Sequence, residues 1–103
     1  MAKTTQLRIY TINRGEMDEF VKGWREKIVP LRLKHGYIVE GAWVVEGESR
    51  FVWMVSYDGD ESWEAKEQAY YNDPERLAVT PGPAVHIALM ELRFIKSVYP
   101  PIS

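Results

Sequence analysis

Tyr37-Ile38-Val39-Glu40-Gly41-Ala42-Trp43-Val44-Val45-Glu46-Gly47-Glu48-Ser49-Arg50-Phe51-Val52-Trp53-Met54-Val55-Ser56-Tyr57 is the stretch that decides the fold. Two runs rich in branched and aromatic residues, 37–46 and 50–57, flank the short polar connection Gly47-Glu48-Ser49. That pattern predicts a β-hairpin. Neither run alternates apolar with polar. Ala42 and Val44 alternate with Trp43 and Val45, and Val52 and Met54 alternate with Phe51, Trp53 and Val55. An antiparallel sheet with one wet face shows a clean alternation, so both faces of this hairpin ask for cover.

Working outward, Gln6 to Ile12 alternates Leu7 and Ile9 with Arg8 and Tyr10 and reads as a strand. Asn13-Arg14-Gly15 turns the chain into a helix over Glu16 to Lys34. Its stripe is Met17, Phe20, Val21, Trp24, Ile28 and Leu31, with acidic residues first, Arg32, Lys34 and His35 last, and Gly36 as the C′ residue. Pro30 predicts a kink or break near Val29. After the hairpin, Asp58-Gly59-Asp60 offers an N-cap to a second helix over Glu61 to Asn72, whose thinner stripe is Trp63, Ala65, Ala69 and Tyr70. Pro74 opens a short turn through Leu77, Thr80-Pro81-Gly82-Pro83 is a loop, Val85 to Val98 is the last strand, and Pro100-Pro101 ends in an extended tail. The order β-α-β-β-α-β is the ferredoxin-like arrangement of the α+β class. Two helices cover one face of a four-stranded antiparallel sheet, and right-handed crossovers place the first and third strands in its centre. Positions 1–103 read as one domain. The uncovered apolar face predicts a homodimer packed sheet to sheet, since such a patch is larger than monomers usually expose. A monomer with a partly apolar exposed face is the alternative.

Composition removes several function classes. The chain has 103 residues, 27% charged, a formal net charge of −2, 46% hydrophobic residues and no cysteine. Without Cys there is no disulfide framework, thiolate zinc site or Cys nucleophile, and a reducing cytoplasm fits. The basic residues are scattered among acidic ones, which argues against nucleic acid. No apolar run approaches a membrane span, and Met1 to Gln6 lack the apolar centre of a signal peptide. There is no glycine-rich phosphate loop, dinucleotide fingerprint, metal-ligand spacing, haem-ligand context or nucleophile elbow. Neither a cofactor nor a metal is therefore expected. The four Trp, six Tyr and three Phe must fill a core, form a partner surface or line a pocket.

Several short motifs in order carry a resemblance. They are Leu7-Arg8-Ile9-Tyr10-Thr11 followed by Gly15, then His35-Gly36, Gly41-Ala42-Trp43 and Tyr57-Asp58. Glu61, Tyr70 and Asn72-Asp73-Pro74 follow in the second helix. Together they resemble NIPSNAP-type domains over about residues 6–95, departing at Arg76, where that pattern has an aromatic. The resemblance implies the dimeric α/β-barrel superfamily, in which two sheets pair and many members hold a ligand between sheet and helices. Cofactor-independent monooxygenases, polyketide cyclases and haem-degrading enzymes belong there, while NIPSNAP-type members mostly lack an assigned reaction.

The residues offer a structural and a functional reading side by side. His35 is either a helix-end cation or an acid or base at a cleft rim. His86 is either a strand-end residue or, by the loose resemblance to cyclases, a base. Arg8, Tyr10, Glu91 and Arg93 are either cross-strand ion pairs or a set that orients a carbonyl or carboxylate. Trp43, Trp53, Tyr70 and Tyr71 are either core or the walls of a pocket for a flat ligand, with Trp43 and Trp53 sharing a face. Two functions follow. In the first, each subunit binds a small apolar or aromatic molecule between sheet and helices, and any catalysis is cofactor-independent oxygenation or cyclisation. There His35 or His86 moves protons, and Tyr10, Arg8 or Tyr70 holds an enolate or phenolate. In the second, the chain is a non-catalytic homodimeric binding or assembly module.

Overall fold

The computed structural model describes residues 3–100. The tail expected at Pro100-Pro101 therefore lies partly outside the described residues, as do Met1 and Ala2. Strand β1, Lys3–Ile12, leads to helix α1, Met17–Gly23, a π-turn, Trp24–Ile28, and helix α2, Val29–Lys34. Strands β2, Ile38–Val45, and β3, Arg50–Asp58, form the hairpin. Helices α3, Trp63–Asn72, and α4, Pro74–Leu77, then a 3₁₀ turn, Pro83–His86, precede strand β4, Ile87–Ile95. All pairings are antiparallel and the strand order is β2-β3-β1-β4, with β1 and β3 central. The fold is ferredoxin-like, as the order of elements predicts. No helix among the described residues is long and apolar enough to cross a membrane.

Local chemistry accounts for most boundaries. Gly15, Gly36 and Gly47 hold φ of 80°, 84° and 78° at the three chain reversals, where an L side chain would be strained. Pro30 does not break the first helix. The turn before it widens, and the Val29 N–H reaches back to the Trp24 carbonyl, five residues away. Three details differ from expectation. Ser62, not the Asp58–Asp60 segment, caps α3, its hydroxyl accepting from the Ala65 N–H at 3.1 Å. Ala65 and Ala69 are exposed, and the inward face of α3 is Trp63, Lys66, Glu67 and Tyr70. Val85 and His86 belong to the 3₁₀ turn, so β4 is shorter than 85–98.

The core lies between the sheet and the helices, with α1, α2 and α3 all contributing buried residues. Even positions of β1 and odd positions of β3 from 51 to 55 point into it. Phe51 packs edge-on against Phe20 and Trp24, with ring centroids 5.0 Å apart in both pairs, and Trp24 meets Trp53 at 5.3 Å. The opposite face carries Leu7, Ile9, Val52 and Met54, half-buried, with the exposed Trp43, Leu89 and Ile95 around them. Removing the Phe51 ring leaves a void against three aromatic neighbours. Phe51→Ala is expected to lose about 3–5 kcal/mol, read as a lower urea midpoint with unchanged slope.

Candidate functional site

The site begins with a violation of pattern on β1. Positions 6, 8, 10 and 12 face the helices, and two of them, Gln6 and Arg8, are polar and buried. An arginine there must find partners or unfold the seam. Its Nε donates to the Tyr10 hydroxyl at 2.6 Å, Nη1 to Gln6 Oε1 at 2.7 Å, and Nη2 to the Tyr71 hydroxyl at 3.2 Å.

Arg32 enters from the opposite layer. It lies four residues beyond Ile28 on the helical stripe and is as buried as the apolar residues around it. One of its nitrogens, Nη1, donates to Glu67, and Nη2 donates to the Tyr71 hydroxyl at 3.2 Å. The Tyr71 oxygen thus bridges two guanidinium groups. The Arg32 guanidinium also lies 3.9 Å from the Tyr70 ring centroid and 4.7 Å from that of Tyr37, in the range of cation–π attraction. Glu67 answers both arginines, at 3.6 Å from Arg8, and accepts the Tyr37 hydroxyl at 2.8 Å. Burial opposes the charge on Arg32, but the facing Glu67 carboxylate outweighs it and the pKa rises. Burial, with Glu67 alongside, also pushes the Tyr37 hydroxyl well above the usual phenol range. Tyr70 is likewise raised by burial, with Arg32 and Arg76 pulling the other way.

A third guanidinium stands beside these. Arg76 sits on the short α4, and its Nε donates to the Tyr70 hydroxyl at 3.2 Å. Asp73 fixes the start of α4. Its Oδ1 accepts the Glu75 N–H at 2.8 Å and its Oδ2 lies 2.6 Å from His35 Nε2. The His35 ring packs edge-on against Tyr70 at 5.5 Å. The histidine therefore anchors the element that carries Arg76.

These groups surround a cavity of about 140 Å³ between sheet and helices, to which Arg8, Arg32, Arg76, Trp53, Tyr70 and Tyr71 all contribute. Three guanidinium groups line it and no carboxylate or histidine does. With Glu67 as the nearby counter-charge, the cluster carries a surplus of positive charge. Three buried N–H donors, Trp24 Nε1, Arg32 Nε and Trp53 Nε1, have no protein acceptor among the described residues, and all belong to residues of this lining.

Of the candidates drawn from sequence, Arg8, Tyr10, Trp53, Tyr70 and Tyr71 come together here. Trp43 does not. The hairpin register sets Ala42 opposite Trp53 and Trp43 opposite Val52, so the two tryptophans lie on opposite faces and Trp43 is exposed on the outer one. Glu91 and Arg93 pair with Ile9 and Leu7, also on the outer face, and approach each other at 3.8 Å. Neither histidine lines the cavity. His86 is buried against the N-terminal end of α1, Nδ1 2.7 Å from Glu16, and borders a separate groove of about 430 Å³. Sequence reasoning passed over Arg32, Glu67 and Arg76. Arg32 had a signal, a charge four residues beyond the apolar Ile28 of the helical stripe.

The Asp73 anchor is testable by acid. His35, then the Glu75 N–H and Lys34, hold the Asp73 carboxyl down to about 2 against a small opposing effect of burial. A carboxyl lowered from its unfolded value of about 3.9 stabilises the fold above that value and loses the contribution as pH falls through its native one. The stability gap between wild type and Asp73→Asn is expected to be full at pH 5 and to close toward pH 2 in urea titrations. An unchanged gap at pH 2 contradicts this.

Comparison with known proteins places this geometry in a family. The NIPSNAP profile matches residues 5–99. A NIPSNAP family protein from Agrobacterium tumefaciens superposes with a TM-score of 0.85 at 22% identity, covering 99% of this chain and 100% of that one. A NIPSNAP domain protein from Burkholderia xenovorans gives 0.81 at 20% identity, covering 96% and 99%. A protein put forward as an antibiotic biosynthesis monooxygenase from Bacteroides thetaiotaomicron gives 0.73 at 18% identity, covering 98% and 94%. Among curated proteins, none matches the chain. With the profile spanning nearly all of its length and the same fold in both NIPSNAP structures, the chain belongs to the NIPSNAP family.

Proposed function

We propose that the chain binds a small, flat, acceptor-rich molecule, such as an aromatic carboxylate, phenolate or enolate, in the cavity of about 140 Å³. The observation that carries this is the lining itself, to which three arginines contribute and no carboxylate does. An anionic ligand would offset the surplus of guanidinium charge. A cavity of about 150 Å³ is known to hold benzene, so one six-membered ring is the right scale. Tyr70, Tyr71 and Trp53 supply ring faces and edges for it.

The lining favours stabilising negative charge over removing a proton, since it offers guanidinium and hydroxyl groups and no base. Any catalysis would then be cofactor-independent oxygenation or cyclisation of a polyketide-like aromatic through an enolate or phenolate. Arg8, Arg32 and the Tyr10 and Tyr71 hydroxyls would hold that anion, and its proton would be carried away by His35, His86 or solvent outside the cavity. Differential scanning fluorimetry with benzoate and benzamide tests the binding. At a concentration 100 times Kd, benzoate is expected to stabilise the fold by about 2.7 kcal/mol and raise Tm by about 10–20 °C. Benzamide should shift Tm far less, and Arg8→Met should abolish the benzoate effect. Equal shifts for acid and amide, or none for benzoate at millimolar concentration, overturn the reading.

A second reading, a homodimeric module whose assembly is its function, draws on the outer sheet face. Leu7, Ile9, Val52 and Met54 form its centre, and the Glu91–Arg93 pair puts both charges on the same face, where a twofold axis can match them. The dimer is proposed under both readings. Light scattering at micromolar concentration is expected to give twice the single-chain mass of 12.0 kDa, and Val52→Lys to give 12.0 kDa. A wild-type mass of 12.0 kDa removes the dimer.

A further inference from the structure

The groove of about 430 Å³ lies between the first helix and the 79–86 loop, and its volume is about three times that of the arginine cavity. The two spaces share four lining side chains, Phe20, Trp24, Ile28 and Pro83. Val79 and Pro81 extend the apolar wall of the groove. Charged residues, Lys22 and Lys27 with Glu19 and Glu26, also border it and are nearly balanced in sign. Lys27 Nζ donates to the Thr80 carbonyl at 3.0 Å and straps the helix to the loop.

Two features mark the groove and the wall it shares with the cavity. Gly23 stands inside the helical run, where glycine is a poor choice, and a Cβ built on it meets nothing within 4 Å. A larger residue would be tolerated by the backbone and would enter the groove. Trp24, on the shared wall, is buried and has no protein acceptor for its indole N–H.

We infer that the groove is a second subsite for the same molecule and receives an apolar alkyl or aryl tail attached to the ring held by the arginines. The inference rests on the binding function proposed above. It names the ligand class as an amphiphilic aromatic acid, with the acceptor-bearing head in the cavity and the tail along Phe20, Trp24, Ile28 and Pro83. Balanced charge at the groove leaves the tail neutral, and the apolar walls select carbon over further polar groups.

A homologous series tests this by isothermal titration of the whole chain with 4-alkylbenzoates from methyl to hexyl. Each methylene buried in the groove tightens binding about fourfold. Kd is therefore expected to fall stepwise with chain length in the wild type. In Gly23→Trp the gain with length should vanish while benzoate itself binds as in the wild type. Val79→Trp fills the opposite wall and should act the same way, so the test survives if one variant does not fold, as judged by circular dichroism. A wild-type Kd independent of chain length overturns the subsite and leaves the cavity reading standing. So does a length dependence that persists in a folded Gly23→Trp or Val79→Trp. Failure of benzoate and of every member of the series to bind overturns both.

Discussion

Two guanidinium groups buried in the seam between sheet and helices, answered by one carboxylate, set the terms for the rest of the molecule. Arg8 comes from the central strand and Arg32 from the first helix, and Glu67 on α3 faces both. A buried arginine without partners costs several kcal/mol. The aromatic residues around the pair serve that constraint as well as filling the core. Tyr10 and Tyr71 offer oxygens, while Tyr37 and Tyr70 offer ring faces. The sheet, the first helix and α3 are thereby tied through one electrostatic knot, and the cavity is the space the knot leaves among its own members.

That origin explains the character of the cavity. A hydrophobic seam would close by repacking alkyl groups. Guanidinium groups fixed by hydrogen bonds cannot slide into the gap, and mutual repulsion between Arg8 and Arg32 disfavours collapse. Hydrogen bonds already hold the guanidinium groups in position, which is the condition under which charge acts without reorganisation. The His35–Asp73 contact extends the same logic outward, because it sets the short helix from which Arg76 reaches the Tyr70 hydroxyl.

The periodicity of the chain was enough to read the fold. Alternation in β1, the stripe from Phe20 to Leu31 and the glycines at the reversals all carry their elements directly. The site was legible only in part. Arg8, Tyr10, Trp53, Tyr70 and Tyr71 could be nominated as polar or aromatic residues near a seam. Trp43 was misplaced by a one-residue difference in a loop. A connection of Gly47 to Ser49 sets 43 opposite 53, whereas the actual connection spans Glu46 to Ser49 and sets 42 opposite 53. In a structure with period two, that step turns a side chain to the other face. Glu67 stayed hidden because α3 turns Lys66 and Glu67 inward and its alanines outward, against the usual sense of amphipathicity. Its partners lie at positions 8 and 32, and no local pattern links them.

The π-turn at Trp24–Ile28 has a consequence for helical phase. Phe20, Trp24, Ile28 and Arg32 recur every four residues. In a plain α-helix, at about 100° per residue, each such step overshoots a full turn by about 40°, and Arg32 would stand about 120° away from the direction of Phe20. One extra residue absorbed in a wide turn cuts that drift to about 20°. The insertion acts as a phase correction between the two ends of the helix. It lets a single straight face begin in the aromatic core and finish on the guanidinium group that Glu67 receives.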